Sequence, residues 1–139
     1  MAVETYSFQR TTEGETDIID ITGEIEKIIS KSSLHAGVAT VFVSGSTAGI
    51  TTVEYESGLV QDLKQAYERV APRNGNYAHN LRWGDGNGYA HVRASMTGQD
   101  LNVPFSRGKL ILGTWQQIVL VDFDNRKRKR EISVQLIGE

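Results

Sequence analysis

The sequence predicts an α+β fold: one domain, 1–139, in which a curled, mostly antiparallel sheet is capped by helices. Three observations predict it. Seven or eight short segments read as strands, only two stretches carry helical spacing, and the turns between them are rich in Gly and Asn. That many strands exceed what a flat sheet over two helices needs, so the sheet is expected to curl toward a barrel.

Residues 2–9 place Val3, Tyr6 and Phe8 in an extended run. The polar turn TTEGET separates them from Asp17-Ile18-Ile19-Asp20-Ile21, and the pair reads as an opening hairpin. The period then changes. Ile21, Ile25, Ile28 and Ile29 fall on one helical face, with Thr22 as the expected N-cap and Glu24 in the first turn. Residues 38–44 alternate Val38, Thr40, Phe42 and Ser44 against Ala39, Val41 and Val43. Both faces are largely apolar, which predicts a central strand. After the loop Gly45-Ser46-Thr47-Ala48-Gly49, residues 50–56 look extended, and Ser57 opens a second helix with the stripe Leu59, Leu63, Ala66, Tyr67 and Val70. Pro72 ends it. Residues 89–97, 100–105, 110–113, 116–124 and 128–137 read as strands.

Composition narrows the function classes. Apolar residues make up 39% and charged residues 23%, as in an ordinary globular domain. A net charge of −2 argues against general nucleic-acid binding. With no cysteine there is no disulfide, thiolate metal site or cysteine nucleophile. No apolar run approaches the roughly 18 residues that span a membrane, and MAVETYSFQR lacks the hydrophobic centre of a signal peptide. A cytoplasmic location is the expectation.

Strand alternation singles out the arginines. Arg128 and Arg130 share a face with Ile132, Val134 and Leu136, so both are expected to point inward near one sheet end. A buried guanidinium needs an anion. Asp122 and Asp124 on the preceding strand would supply an internal ion pair; a bound phosphate is the alternative. A third reading takes residues 126–130 as a nucleic-acid patch, but alternation splits the run over two faces and no aromatic residue interleaves. The strand 116–124 is apolar on both faces, and a subunit interface is one way to cover the second face.

The stretch YAHNLRWGDGNGYAH holds two of the three histidines. If residues 89–97 form a strand, His91 shares a face with Arg93 and Ser95, just after three glycines in the five residues 84–88. His79, Asp85 and His91 could ligate a divalent metal, magnesium or zinc, although the spacing matches no recognised zinc signature. The same histidines could serve as acid and base without a metal, or could be ordinary loop residues. Ser46 and Thr47 lie in a small-residue loop suited to holding an anion on backbone N–H groups. Glu54 on the next strand and Asp62 on the following helix could complete an acidic cluster.

Together these segments resemble one family. Gly45-Ser46-Thr47-Ala48-Gly49-Ile50, Glu54, Asp62, Tyr77-x-His79 and Asp85-x-Asn87-x-x-x-His91 match in order. Gly98, Val103-Pro104, the run from Gly108-Lys109-Leu110 to Leu112-Gly113-Thr114-Trp115-Gln116-Gln117-Ile118, and Asp124-x-x-x-Arg128-x-Arg130 follow. The chain resembles the YjbQ-like family, also described as secondary thiamine-phosphate synthase. The resemblance implies a pseudobarrel capped by a helix, a homotrimer, and a weak capacity to join a pyrimidine pyrophosphate to a thiazole phosphate with release of pyrophosphate. It implies a site of Glu54, Asp62, His79, Asn87, His91, Gln116 and the arginines. The chain departs from the pattern at Gly45-Ser46-Thr47-Ala48, where many relatives read His-Thr-Thr-Ala.

Three functions follow as expectations: an enzyme acting on phosphorylated small molecules, a trimeric binding protein for such a ligand without catalysis, and nucleic-acid binding through residues 126–130. In the first, Arg128 and Arg130 hold phosphate and Ser46 and Thr47 add hydrogen bonds. His79 or His91 acts as acid, base or metal ligand, oriented by Glu54 or Asp62.

Overall fold

The computed structural model describes residues Met1–Glu139. In chain order the elements are β1 (Ala2–Thr12), β2 (Asp17–Asp20), α1 (Thr22–Lys31), β3 (Ala36–Val43), β4 (Ala48–Val53) and α2 (Ser57–Val70). They continue as α3 (Ala78–Trp83), α4 (Gly88–Thr97), β5 (Asp100–Ser106), β6 (Lys109–Leu110), β7 (Gln117–Asp122) and β8 (Arg128–Gly138). A five-stranded sheet of order β1-β8-β3-β5-β6 and a three-stranded sheet of order β2-β7-β4 curl together as a half-barrel, with every pairing antiparallel. The architecture is the predicted α+β class. No helix is long and apolar enough to cross a membrane.

The barrel interior is filled by one apolar face from each long strand. Ala39, Val41 and Val43 of β3 meet Ile132, Val134 and Leu136 of β8, Ile118 and Leu120 of β7, and Val103 and Phe105 of β5. Ile25 and Ile29, one turn apart on α1, close this core together with Ile21. Thr22 is not the cap of α1. Ile21 holds that position, and the Thr22 hydroxyl instead accepts the Ile118 N–H at 2.8 Å, tying the helix to β7. Glu56 caps α2, accepting the N–H groups of Gly58 and Leu59 at 2.6 and 2.9 Å.

Four further expectations change. The first two strands do not form a hairpin: β1 pairs with β8 and β2 with β7, so the turn between them carries the chain from one sheet to the other. That turn runs through Gly14, Glu15 and Thr16 at φ of 77°, 57° and 63°. Second, β3 is central by pairing, but only one of its faces is covered. Val38 and Phe42 stand 42% and 43% exposed on the outer side. Third, residues 110–113 form no strand of their own beyond Leu110.

The fourth change matters for function. Residues 89–97 are not a strand but most of α4, and His79 sits on α3 rather than in a loop. Ala90, Val92, Ala94 and Met96 alternate as a strand would. Yet Tyr89, Ala90, Arg93 and Ala94, the helical set, are the buried ones, while Val92 and Met96 are exposed. The alanines favour helix, and the buried Tyr89, Ala90 and Ala94 fill the space over β7.

This helix also resolves the second apolar face of β7. Val119, Val121 and Phe123 pack against Tyr89, Ala90 and Ala94 of α4 and against Val60, Leu63 and Tyr67 of α2. Tyr67 meets Phe123 edge-on at 4.7 Å between ring centres. The face is covered within the chain, so it calls for no subunit interface. Phe123→Ala is therefore expected to cost about 3–5 kcal/mol in urea unfolding. The loss should be the same at low and high protein concentration. A loss that shrinks on dilution would mean that a partner chain covers this face.

Candidate functional site

Two carboxylates with no exposed surface, Asp122 and Asp124, stand where β7 ends. Asp122 accepts both Nε and Nη2 of Arg130, at 2.7 and 2.9 Å, and the Thr12 hydroxyl at 2.6 Å. Asp124 accepts Arg128 Nε at 2.6 Å, the Asn87 amide at 3.1 Å and the Thr47 hydroxyl at 3.1 Å. Thr47 in turn accepts Arg130 Nη2 at 2.6 Å. The internal ion pair is thus present, and both arginines point inward as strand alternation requires. Burial pulls the Asp124 carboxyl upward, but hydrogen bonds from Asn87, the Asn125 N–H and Arg128, with the Arg128 charge, outweigh it. Its pKa lies below the ordinary carboxylate range, so it is an anion at neutral pH.

Arg130 keeps one nitrogen out of this lattice. Nη1 donates to no protein acceptor and lies under Gly45, where a Cβ would come within 2.5 Å of it. The guanidinium is pinned on its other two nitrogens, so it cannot swing away cheaply. A side chain at position 45 and this placement of Arg130 compete for the same space. That is a physical reason for glycine at position 45.

The histidines meet beside the lattice. Gly84 ends α3 in the left-handed conformation at φ 70°, and the chain doubles back through Gly86 into α4. Gly88 fits only as glycine, since a Cβ there would lie 2.6 Å from Tyr77 Cβ. Its N–H donates to Asn80 Oδ1 at 2.9 Å. The reversal sets the rings of His79 and His91 4.4 Å apart. His79 Nδ1 is 3.6 Å from Asp85, and it is buried without a hydrogen-bond partner, as is Asn87 Oδ1. Burial, and then the neighbouring His79, push the His91 pKa down; Asp124 and Asp85 oppose this without reversing it. His91 opens onto a cavity of about 410 Å³ lined by Phe42, Gly45, Ser46, Ser95 and Gln99.

The predicted site residues thus fall into two groups. Thr47, Asn87, Arg128 and Arg130 share hydrogen bonds around Asp122 and Asp124, with His79, Asp85 and His91 beside them and exposed Ser46 at the opening. Glu54 and Gln116 lie at the far end of the β4–β7 pair, where Val53 pairs with Gln117 while Ala48 pairs with Asp122. Six paired residues separate the ends, about 20 Å along the strands. There Gln116 donates to Thr52 and accepts from the Gly113 N–H. Asp62 is exposed on α2. One chain therefore does not bring Glu54 and Gln116 to the histidines.

His79, Asp85 and His91 do not close around a common point, and no group of three or more acidic or histidine side chains does so. The basic run is also dispersed: Arg128 and Arg130 are held by Asp124 and Asp122, and Lys127 pairs with Glu13 at 3.3 Å. Sequence reasoning named Asp122 and Asp124 only as partners for the arginines and overlooked Asn80. The spacing Asp-x-Asp followed by Arg-x-Arg was the available signal for the first two.

The chain matches the family model described as UPF0047 protein YjbQ-like over residues 6–139. It is 34% identical over 135 residues to a UPF0047 protein of Methanocaldococcus jannaschii, covering 96% of this chain and 94% of that one. It is 32% identical over 134 residues to UPF0047 protein YugU of Bacillus subtilis, covering 95% and 98%. Among solved structures, a YbjQ-like protein of unknown function from Sulfolobus solfataricus P2 superposes with a TM-score of 0.90 at 33% identity, over 99% of this chain and 100% of that one. A hypothetical protein from Aeropyrum pernix K1 gives 0.91 at 32% identity, over 98% and 99%.

The lowered pKa of His91 sets a pH dependence. Below its ordinary value of about 6.5 the unfolded chain takes up a proton that the folded chain resists, so stability falls as pH drops through this window and is complete above it. Urea midpoints measured between pH 5 and 7 should rise with pH, and less steeply in His91→Gln. Equal slopes in the two proteins would contradict the assignment.

Proposed function

The chain belongs to the YjbQ-like UPF0047 family, and from that premise we propose that it is a slow enzyme of the secondary thiamine-phosphate synthase type, acting on phosphorylated small molecules as a cytoplasmic homotrimer. The observation that carries the reading is the pair His79 and His91, rings 4.4 Å apart, with His91 sharing a cavity with Gly45, which lies over the unpaired Nη1 of Arg130. In such a transfer the thiazole nitrogen attacks the pyrimidine methylene carbon, a C–N bond forms, and the C–O bond to diphosphate breaks. No base is needed at the nucleophile. The demand is on the leaving group, whose growing negative charge must be neutralised. Arg128 and Arg130 Nη1 supply fixed positive charge, Ser46 a hydroxyl, and His91 a proton donor when it is charged.

A trimer would serve this chemistry by bringing the far-end group to a neighbour's histidines. Trp115, 72% exposed beside Gln116, and Leu81 and Trp83, 91% and 65% exposed beside His79, support a head-to-tail contact of this kind. Such a contact would place Glu54 and Gln116 of one subunit at the His79–His91 pair of the next.

One observation favours a second reading, binding without turnover. Arg130 Nη1 stands where a side chain at position 45 would be, so the histidine that the family resemblance implies there has no counterpart. The arginine charges are also balanced by Asp122 and Asp124. Incubation with the pyrimidine pyrophosphate and thiazole phosphate should yield thiamine phosphate, and His91→Ala should lower the rate by about 10²–10⁴-fold. Calorimetric binding with no product would move the assignment to the second reading. Neither binding nor product would remove both, and a monomer in sedimentation would remove the trimer.

A further inference from the structure

A cavity of about 600 Å³ lies between α2 and the β1–β2 turn, and it is separate from the histidine opening. His91 and Arg93 are two residues apart on α4, about 200° around the helix. The same helix therefore presents His91 to one cavity and Arg93 to the other. We propose that this second cavity is a binding site for a small, wholly polar anion bearing a carboxylate or phosphate group.

The wall is built rather than incidental. Arg93 is 5% exposed, yet each of its guanidinium nitrogens is engaged. Nε donates to the Ala71 carbonyl at 3.0 Å, Nη1 to the Thr16 hydroxyl at 2.9 Å and Nη2 to Glu68 at 2.6 Å. The Tyr89 ring lies 5.0 Å from its central carbon, and the Tyr89 hydroxyl donates to Glu15 at 3.0 Å. Glu15 also holds Arg73 at 3.0 Å. Glu15 and Thr16 reach these positions only because both adopt the left-handed region, at φ 57° and 63°. For the β-branched, buried Thr16 that conformation is costly, and strain of this kind concentrates at binding sites.

The charges identify the ligand. Three cations, Lys64, Arg73 and Arg93, face two carboxylates, Glu15 and Glu68, so the wall carries one net positive charge. Both carboxylates are taken by arginines, whereas Lys64 is exposed and forms no ion pair. An ammonium without a partner, flanked by the amides of Gln61 and Gln65, suits an anionic group with hydroxyl or carbonyl neighbours. Val60 is the single apolar residue in the lining, which disfavours an aromatic or lipid ligand. The α2 N-terminus is not the source of the attraction, because Glu56 already occupies its N–H groups.

The inference is independent of the proposed transfer chemistry, and one experiment keeps the two apart. The full ¹⁵N-labelled chain is titrated with citrate and, separately, with inorganic phosphate at constant ionic strength. Saturable shifts are expected in residues 57–65 and at Arg93 Nε, and the tighter of the two probes names carboxylate or phosphate. Lys64→Gln, an exposed change, should weaken that binding about tenfold, as loss of one charge-assisted hydrogen bond does. Failure of both probes to saturate, equal affinity in Lys64→Gln, or shifts confined to the surroundings of His79, His91 and Arg128 would each overturn the proposal.

Discussion

The paired burial of Asp122 and Asp124 against Arg130 and Arg128 is the constraint on which the rest depends. The two carboxylates are fully enclosed, and anions there are tolerable only because each is matched by a guanidinium and by hydroxyl or amide donors. The lattice crosses the gap between the two sheets. Asp122 is on β7 of the small sheet, Arg130 on β8 of the large one, and Thr47 on the loop that leaves β3 for β4. Removing one partner would strand a buried charge, at a cost of about 3–5 kcal/mol. The curl of the half-barrel and the placement of α4, through Asn87 on Asp124, are thus set by the same few polar contacts.

This arrangement gathers one polar set at one end of the β4–β7 ladder and leaves a second at the other. The near end combines neutral-leaning imidazole, a guanidinium nitrogen without an acceptor and two buried orphan atoms, His79 Nδ1 and Asn87 Oδ1. Buried orphans are costly in a finished core and are expected where a ligand or water completes the set. The far end offers Glu54 and Gln116 beside exposed Trp115. A single chain keeps the two about 20 Å apart, so a shared site requires a neighbour.

Much of this was legible in the sequence, and the failures are instructive. Strand alternation alone placed Arg128 and Arg130 inward and named Asp122 and Asp124 as their partners. The α+β class followed from the count of extended segments. Period-2 alternation misled at residues 89–97, because Ala90 and Ala94 satisfy a helix and a strand equally well while the buried Arg93 breaks the helical pattern. The hairpin failed for another reason. Local turn chemistry cannot show that the next strand joins a different sheet, and the left-handed Glu15 and Thr16 carry no compositional mark. The separation of Glu54 and Gln116 from the histidines depends on register, which only the paired strands reveal.

The most direct test of the account is a crystal structure with thiamine phosphate bound. The account predicts the phosphate within hydrogen-bonding distance of His91 or Arg130 Nη1, over Gly45, with Glu54 or Gln116 of a second subunit closing the pocket. Phosphate bound elsewhere, or a histidine pair turned away from the ligand with no neighbouring chain in reach, would contradict it.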